Sequence, residues 1–158
     1  KTLANTCVSV YRLHKPDIAL FSEAENCLNE LRSFPLYLVT DGNKIAQHHK
    51  VKSLGLYDIM KHCYITHRYG IKHAKPSPYC FLHIQRRERV SPANIVYIGD
   101  NPKKDFVGIK PLGFRTIRIR TGEYKDVEVP SEYEAELQID SLVELKDALK
   151  KLWPSITF

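Results

Sequence analysis

No apolar run in this chain approaches the roughly 20 residues that a membrane-spanning helix needs, so the sequence is expected to be soluble. The opening stretch, KTLANTCVSV, lacks a charged start leading into a long apolar segment and lacks a secretory cleavage pattern. Export is not signalled, and the expectation is a cytoplasmic protein. The four cysteines, Cys7, Cys27, Cys63 and Cys80, never come in the close pairs that zinc sites and redox motifs use. They read as free thiols of a reducing compartment. The seven histidines show no ligand spacing either. His48 and His49 are adjacent and would point apart on a helix, while His62, His67 and His73 share no helical face. Internal repeats and low-complexity tracts are absent.

Hydrophobic residues make up 43% of the chain and charged residues 27%, close to the globular average. At 158 residues the default is one domain with a buried core. The formal net charge of +6 raises nucleic acid as a partner. The basic residues are dispersed, however, with small clusters at QRRER (85–89), PKK (102–104) and RTIRIR (115–120), and no aromatic residues interleave with them. A basic surface that attracts a phosphorylated metabolite is the better reading, and a nucleic-acid-binding module rests on net charge alone.

Apolar runs of strand length alternate with segments of helical period, the pattern of a parallel sheet covered by helices in an α/β fold. SEAENCLNELRS opens with Ser22 three residues before Glu25, a capping box, and spaces Ala24, Cys27, Leu28 and Leu31 as a helix does. PLYLVT (35–40) is a strand, and NKIAQHHKVKSLG a helix closed by Gly55. CYITH (63–67) is the next strand, followed by a loop through KPSP and a helix over about 78–87. NIVYIG (94–99) is a further strand, with a helix expected from Pro102. FRTIRI (114–119) alternates and is expected nearer a sheet edge. AELQI then gives a last strand, and DSLVELKDALKKLW a last helix with Ser141 and Glu144 as its capping box.

In an open parallel sheet, ligands bind beyond the carboxyl ends of the strands. LYLVT delivers Thr40 there, followed by Asp41, Gly42 and Asn43, so that a hydroxyl and several backbone N–H groups at a helix start can take a phosphate oxygen. Lys75 lies in AKPSP just before a helix. Asp100 ends IVYIG and Asp105 follows one turn later. A hydroxyl, an ammonium and two carboxylates at one edge suit a phosphoryl group with Mg²⁺, which takes one or two protein carboxylates and keeps water and phosphate oxygens.

In these motifs the chain resembles the haloacid dehalogenase-like (HAD) superfamily, mostly Mg²⁺-dependent phosphatases with a Rossmann-like sheet. LYLVTDG matches the family's second motif at Thr40, AKPSP its third at Lys75, and YIGDNPKKD its fourth at Asp100 and Asp105. The likeness runs from about residue 16 to residue 145. The resemblance implies that Asp100 is a metal ligand and Asp105 a supporting ligand or second acceptor. Thr40 would donate to the phosphoryl oxygens, and Lys75 would neutralise nucleophile and phosphate. Thr40 and Lys75 are then the catalytic groups, Thr40 to Asn43 the substrate-binding turn, Mg²⁺ the cofactor and a small phosphorylated molecule the substrate.

The family's first motif, Asp-x-Asp on the central strand, is missing from the sequence. Asp126 and Glu128 have a similar spacing but lie in a polar loop. Residues 1–20 are therefore expected to be the tail of a helical cap or a linker, and 21–158 an incomplete core from the C-terminal part of a longer enzyme. The absent strand would lie between those ending in Thr40 and Asp100, leaving two edges unpaired. NTCVSVYRL (5–13) could fill that gap, as could a second copy of the chain. The alternative to a hydrolase is a degenerate member that binds a phosphorylated ligand or protein without turnover.

Overall fold

A computed structural model describes residues 2–158. The chain forms two compact units, the first running to Ala74 and the second starting at Lys75.

The first unit contains helices α1 (Leu3–Leu13) and α2 (Ser22–Glu30), strand β1 (Tyr37–Thr40), helices α3 (Lys44–Ser53) and α4 (Leu56–Ile59), and strand β2 (His62–Ile65). β1 and β2 pair in parallel, with Tyr37 opposite His62 and Thr40 opposite Ile65. Parallel pairing needs a crossover between the strands, and α3 and α4 provide it. Val51 of α3, Leu56 of α4 and Cys63 of β2 form the buried centre, with Leu28 and Leu38 packed against them. Gly55 ends α3 as expected, because its φ of 66° lies in the left-handed region that glycine adopts at no steric cost.

Two expectations fail in this unit. NTCVSVYRL is no candidate strand: it lies within α1, where Ser9 Oγ donates to the Asn5 carbonyl at 2.8 Å. Every side chain of α1 is exposed. A segment with no strand beside it satisfies its backbone groups by coiling on itself. The capping box at Ser22 is also not formed. Phe21 is the extended residue that precedes the helix and its carbonyl takes the Glu25 N–H, so Ser22 already sits inside the first turn.

The second unit contains α5 (Tyr79–Glu88), strands β3 (Val96–Gly99), β4 (Arg115–Ile119) and β5 (Leu137–Ile139), and α6 (Leu145–Leu152). The strands form an all-parallel sheet in the order β3-β4-β5. Phe81 and Ile84 of α5, Ile117 of β4 and Leu145 and Leu149 of α6 are buried. The Ser141–Glu144 capping box is present and leads through one 3₁₀ turn into α6. The α/β architecture with parallel strands and flanking helices is the one expected. Among the described residues, β1 pairs only with β2, and β3 only with β4.

Here too the structure corrects the sequence reading. β4, expected nearer a sheet edge, is the middle strand of its three-stranded sheet. Its alternating polar residues are buried and largely paired: Arg118, 2% exposed, bonds Glu134 and the carbonyls of Tyr124 and Val127 through its terminal nitrogens, while its Nε has no partner, and Thr116 Oγ1 accepts the Glu136 N–H. After Pro102 the chain makes separate turns and a 3₁₀ turn (Lys110–Leu112) where a continuous helix was expected. The Asn101 carbonyl accepts from Lys104 and Asp105, and the next carbonyl to act in this way is that of Phe106. The segment is shaped by side-chain contacts around Asp105, described next.

Candidate active site

In the first unit, Thr40 ends β1 and its hydroxyl donates to Gln47 Oε1 at 3.0 Å. Asp41 and Thr66 are the next residues along the paired strands, and Thr66 Oγ1, fully buried, donates to Asp41 Oδ1 at 2.8 Å. Gly42 has φ of 129°, and a Cβ there would stand 2.9 Å from Gln47 Nε2. The turn therefore needs glycine for its conformation, and a side chain there would displace the end of Gln47. Asn43 caps α3, its side-chain oxygen accepting the N–H groups of Ile45 and Ala46. This changes the expected picture of open amides, since two of them are taken by the cap. A threonine has one O–H to give. Thr40 can donate to an incoming oxygen only by leaving Gln47.

The second unit holds Lys75, Asp100 and Asp105. Asp105 is 2% exposed. Its Oδ2 accepts the Asn101 N–H at 2.9 Å, and its Oδ1 lies 2.7 Å from Lys75 Nζ. Oδ1 makes no hydrogen bond of good angle, so its charge is met by the ammonium as an ion pair. The carboxylate fits there because residue 99 is glycine: a Cβ at that position would meet Oδ2 at 2.5 Å. Lys75 Nζ also donates to the Tyr97 hydroxyl at 2.9 Å. Gly108 admits the Pro76 carbonyl into the space a side chain would fill, which seats the Lys75–Pro76 segment. Burial pushes Lys75 toward the neutral amine, but the Tyr97 hydroxyl and the Asp105 carboxylate outweigh burial and hold its pKa well above the ordinary lysine value. These two partners favour the charged ammonium form of the side chain.

Asp100 is exposed, and its carboxylate bonds to no described residue. Among the described residues no three His, Cys, Asp or Glu side chains cluster as a ready-made metal site. The donor set still suits Mg²⁺, which accepts a single protein carboxylate and fills its octahedron with water and phosphate oxygens. Asp100 has the open carboxylate for this, whereas both Asp105 oxygens are engaged within the protein.

The structure thus brings Lys75 and Asp105 together across 30 residues of sequence, and Thr40, Asp41, Gly42 and Asn43 together around the start of α3. Sequence reading missed Tyr97, Gly99 and Gly108. The first two carried a signal: in VYIGD, residues 97 and 99 alternate with 96 and 98, so both face the side of the strand where Asp105 lies. Gly108 carried none.

The signature of the haloacid dehalogenase-like hydrolases matches residues 4–113. The chain belongs to this hydrolase family. It is 34% identical over 120 residues to the glyceraldehyde 3-phosphate phosphatase of Methanopyrus kandleri, an alignment that covers 75% of this chain and 51% of that protein. Among solved structures, a HAD phosphatase from Thermococcus onnurineus is 29% identical with a TM-score of 0.68, over 82% of this chain and 58% of that one. A 2-haloacid dehalogenase from Pseudomonas syringae is 28% identical with a TM-score of 0.72, over 94% and 61%. The chain spans about half the length of the curated relatives it matches. Among the described residues no helix is long and apolar enough to cross a membrane.

Proposed function

We propose that the chain is the C-terminal part of a Mg²⁺-dependent phosphatase of small phosphorylated metabolites, and that its nucleophilic carboxylate comes from outside these 158 residues. One observation carries this reading. The buried Lys75 ammonium is paired with Asp105 Oδ1 at 2.7 Å, while Asp100, just after β3, stays exposed and unpaired. The curated relatives' name supports a phosphate ester as substrate, and their length supports a missing portion. The family match starts at residue 4, inside α1, which is compatible with residues 1–20 being a returning cap tail.

Asp100 would hold the ion, and the ion when bound would neutralise phosphoryl oxygens. Asp105 would support the site by fixing Lys75. Phosphoryl transfer spreads negative charge over three equatorial oxygens, so fixed positive charge and positioning account for most of its catalysis. Lys75 offers such a charge without reorganising, because its partners already hold it. Thr40 would exchange Gln47 for a phosphoryl oxygen, and the Asp41–Gly42–Asn43 turn would line the phosphate. Neither Thr40 nor Lys75 is a nucleophile in this arrangement: the Thr40 hydroxyl faces an amide oxygen, not a base. The nucleophilic carboxylate would come on a strand added beside β1 or β3, from the preceding part of the reading frame or from a second copy.

The test is a substrate panel for the protein extended through the residues that precede Lys1 in its reading frame. Short sugar phosphates, with glyceraldehyde 3-phosphate among them, should release phosphate in Mg²⁺, and 2-haloacids should release no halide. Halide release would reassign the chain to dehalogenation. Inactivity on both classes, together with tight binding of a phosphorylated ligand, would favour the non-catalytic reading.

A further inference from the structure

We propose that Tyr97 is a positioning residue whose hydroxyl, together with Asp105 Oδ1, fixes the Lys75 ammonium at the carboxyl end of β3. Its part in catalysis rests on the phosphatase reading above. A lysine side chain has four rotatable bonds, and one partner leaves the ammonium free to swing about it. Two acceptors at 2.9 and 2.7 Å define its place. Tyr97 is itself immobilised. Its ring stands edge-on to Phe81 with centroids 4.8 Å apart and tilts against Phe106 at 6.3 Å; Phe81 and Phe106 are 3% and 0% exposed.

The choice of a phenol has a chemical consequence. A second carboxylate beside Asp105 would hold Lys75 as firmly but would leave the cluster net negative, which repels a phosphoryl group. A neutral hydroxyl orients the ammonium and adds no negative charge to the Lys75–Asp105 pair. Tyr97 and Gly99 then divide the work on one face of β3: the first supplies an acceptor and the second supplies room for Asp105.

The test is Tyr97→Phe, which keeps the ring and removes the hydroxyl. In the 158-residue chain carrying ¹⁵N-lysine, the Lys75 ammonium signal is assigned by its loss in Lys75→Arg. Its proton exchange with water should quicken by about tenfold in Tyr97→Phe, while backbone amide exchange in β3 stays unchanged. In the extended protein kcat should fall by about tenfold with KM within about twofold. Should Tyr97→Phe fail to fold, biosynthetic 3-fluorotyrosine gives the same exchange test, since it weakens the acceptor and keeps the shape. Unchanged Lys75 exchange in the folded variant, or in the fluorinated protein, overturns the proposal. The exchange measurement needs no turnover, so an inactive extended protein would sink the phosphatase reading and leave this result standing by itself.

Discussion

A methyl group on Gly99 would stand 2.5 Å from Asp105 Oδ2. The strand that delivers Asp100 can therefore approach Asp105 only through a residue without a side chain. Gly99→Ala must push aside a buried carboxylate that also holds Lys75 and the Asn101 N–H. A loss of about 2 kcal/mol in unfolding free energy is expected in wild-type background. In Asp105→Ala background the carboxylate is gone and only the residue-105 Cβ, 3.1 Å away, remains, so the same substitution should cost about 0.5 kcal/mol. Urea denaturation of the four proteins in this cycle gives the coupling directly, and additive effects would contradict the contact.

Magnesium should depend on Asp100 more than on Asp105. Asp100 presents a free carboxylate at the strand end, whereas Asp105 acts through the groups it holds. Calorimetric titration of the extended protein should show binding abolished by Asp100→Asn and weakened about tenfold by Asp105→Asn, the range typical of supporting groups. Equal losses, or none from Asp100→Asn, would count against the assignment. The 158-residue chain alone should bind weakly, since one carboxylate is a minimal site.

His48 adds a modest acid sensitivity. Partial burial first, then Arg68, His49 and Lys52, hold its pKa below the ordinary 6.5. Its Nδ1 lies 2.8 Å from the Tyr57 hydroxyl. A histidine whose folded pKa is depressed favours the folded state fully only above its unfolded value. That contribution is lost as pH falls through the unfolded value toward the folded one. Stability measured from pH 7.5 to 5 should fall less steeply in His48→Gln than in wild type, and the His48 NMR titration should have its midpoint below 6.5. Parallel stability curves for the two proteins would show that the histidine titrates alike in both states.

The legible parts of this molecule were those written in short sequence windows. A strand closed by Gly-Asp, a threonine before Asp-Gly-Asn, and Gly55 after a helical period are local patterns, and the strands and stops they announce are present. What escaped was decided at long range. β4 looked like a strand nearer the edge because FRTIRI alternates, but its Arg118 is buried against Glu134, 16 residues away in a loop. The Lys75–Asp105 pair spans 30 residues, and nothing around AKPSP foretells which carboxylate the lysine meets. The open amides expected after Thr40 were overestimated because Asn43, read as part of a phosphate turn, also serves as a helix cap. The segment after Pro102 looked helical by its first residue and was shaped by a buried carboxylate three residues on.

Phosphate release from an aryl phosphate in Mg²⁺, measured side by side for the 158-residue chain, the extended protein and its Asp100→Asn variant, tests the central claim most directly. The extended protein should turn over. Asp100→Asn should remove nearly all of that activity, and the 158-residue chain should be slower by on the order of a millionfold, as expected when a nucleophile that works as a unit with its partners is absent. Substantial turnover by the purified 158-residue chain, abolished by Asp100→Asn so that contamination is excluded, would contradict the claim that the nucleophile lies outside it.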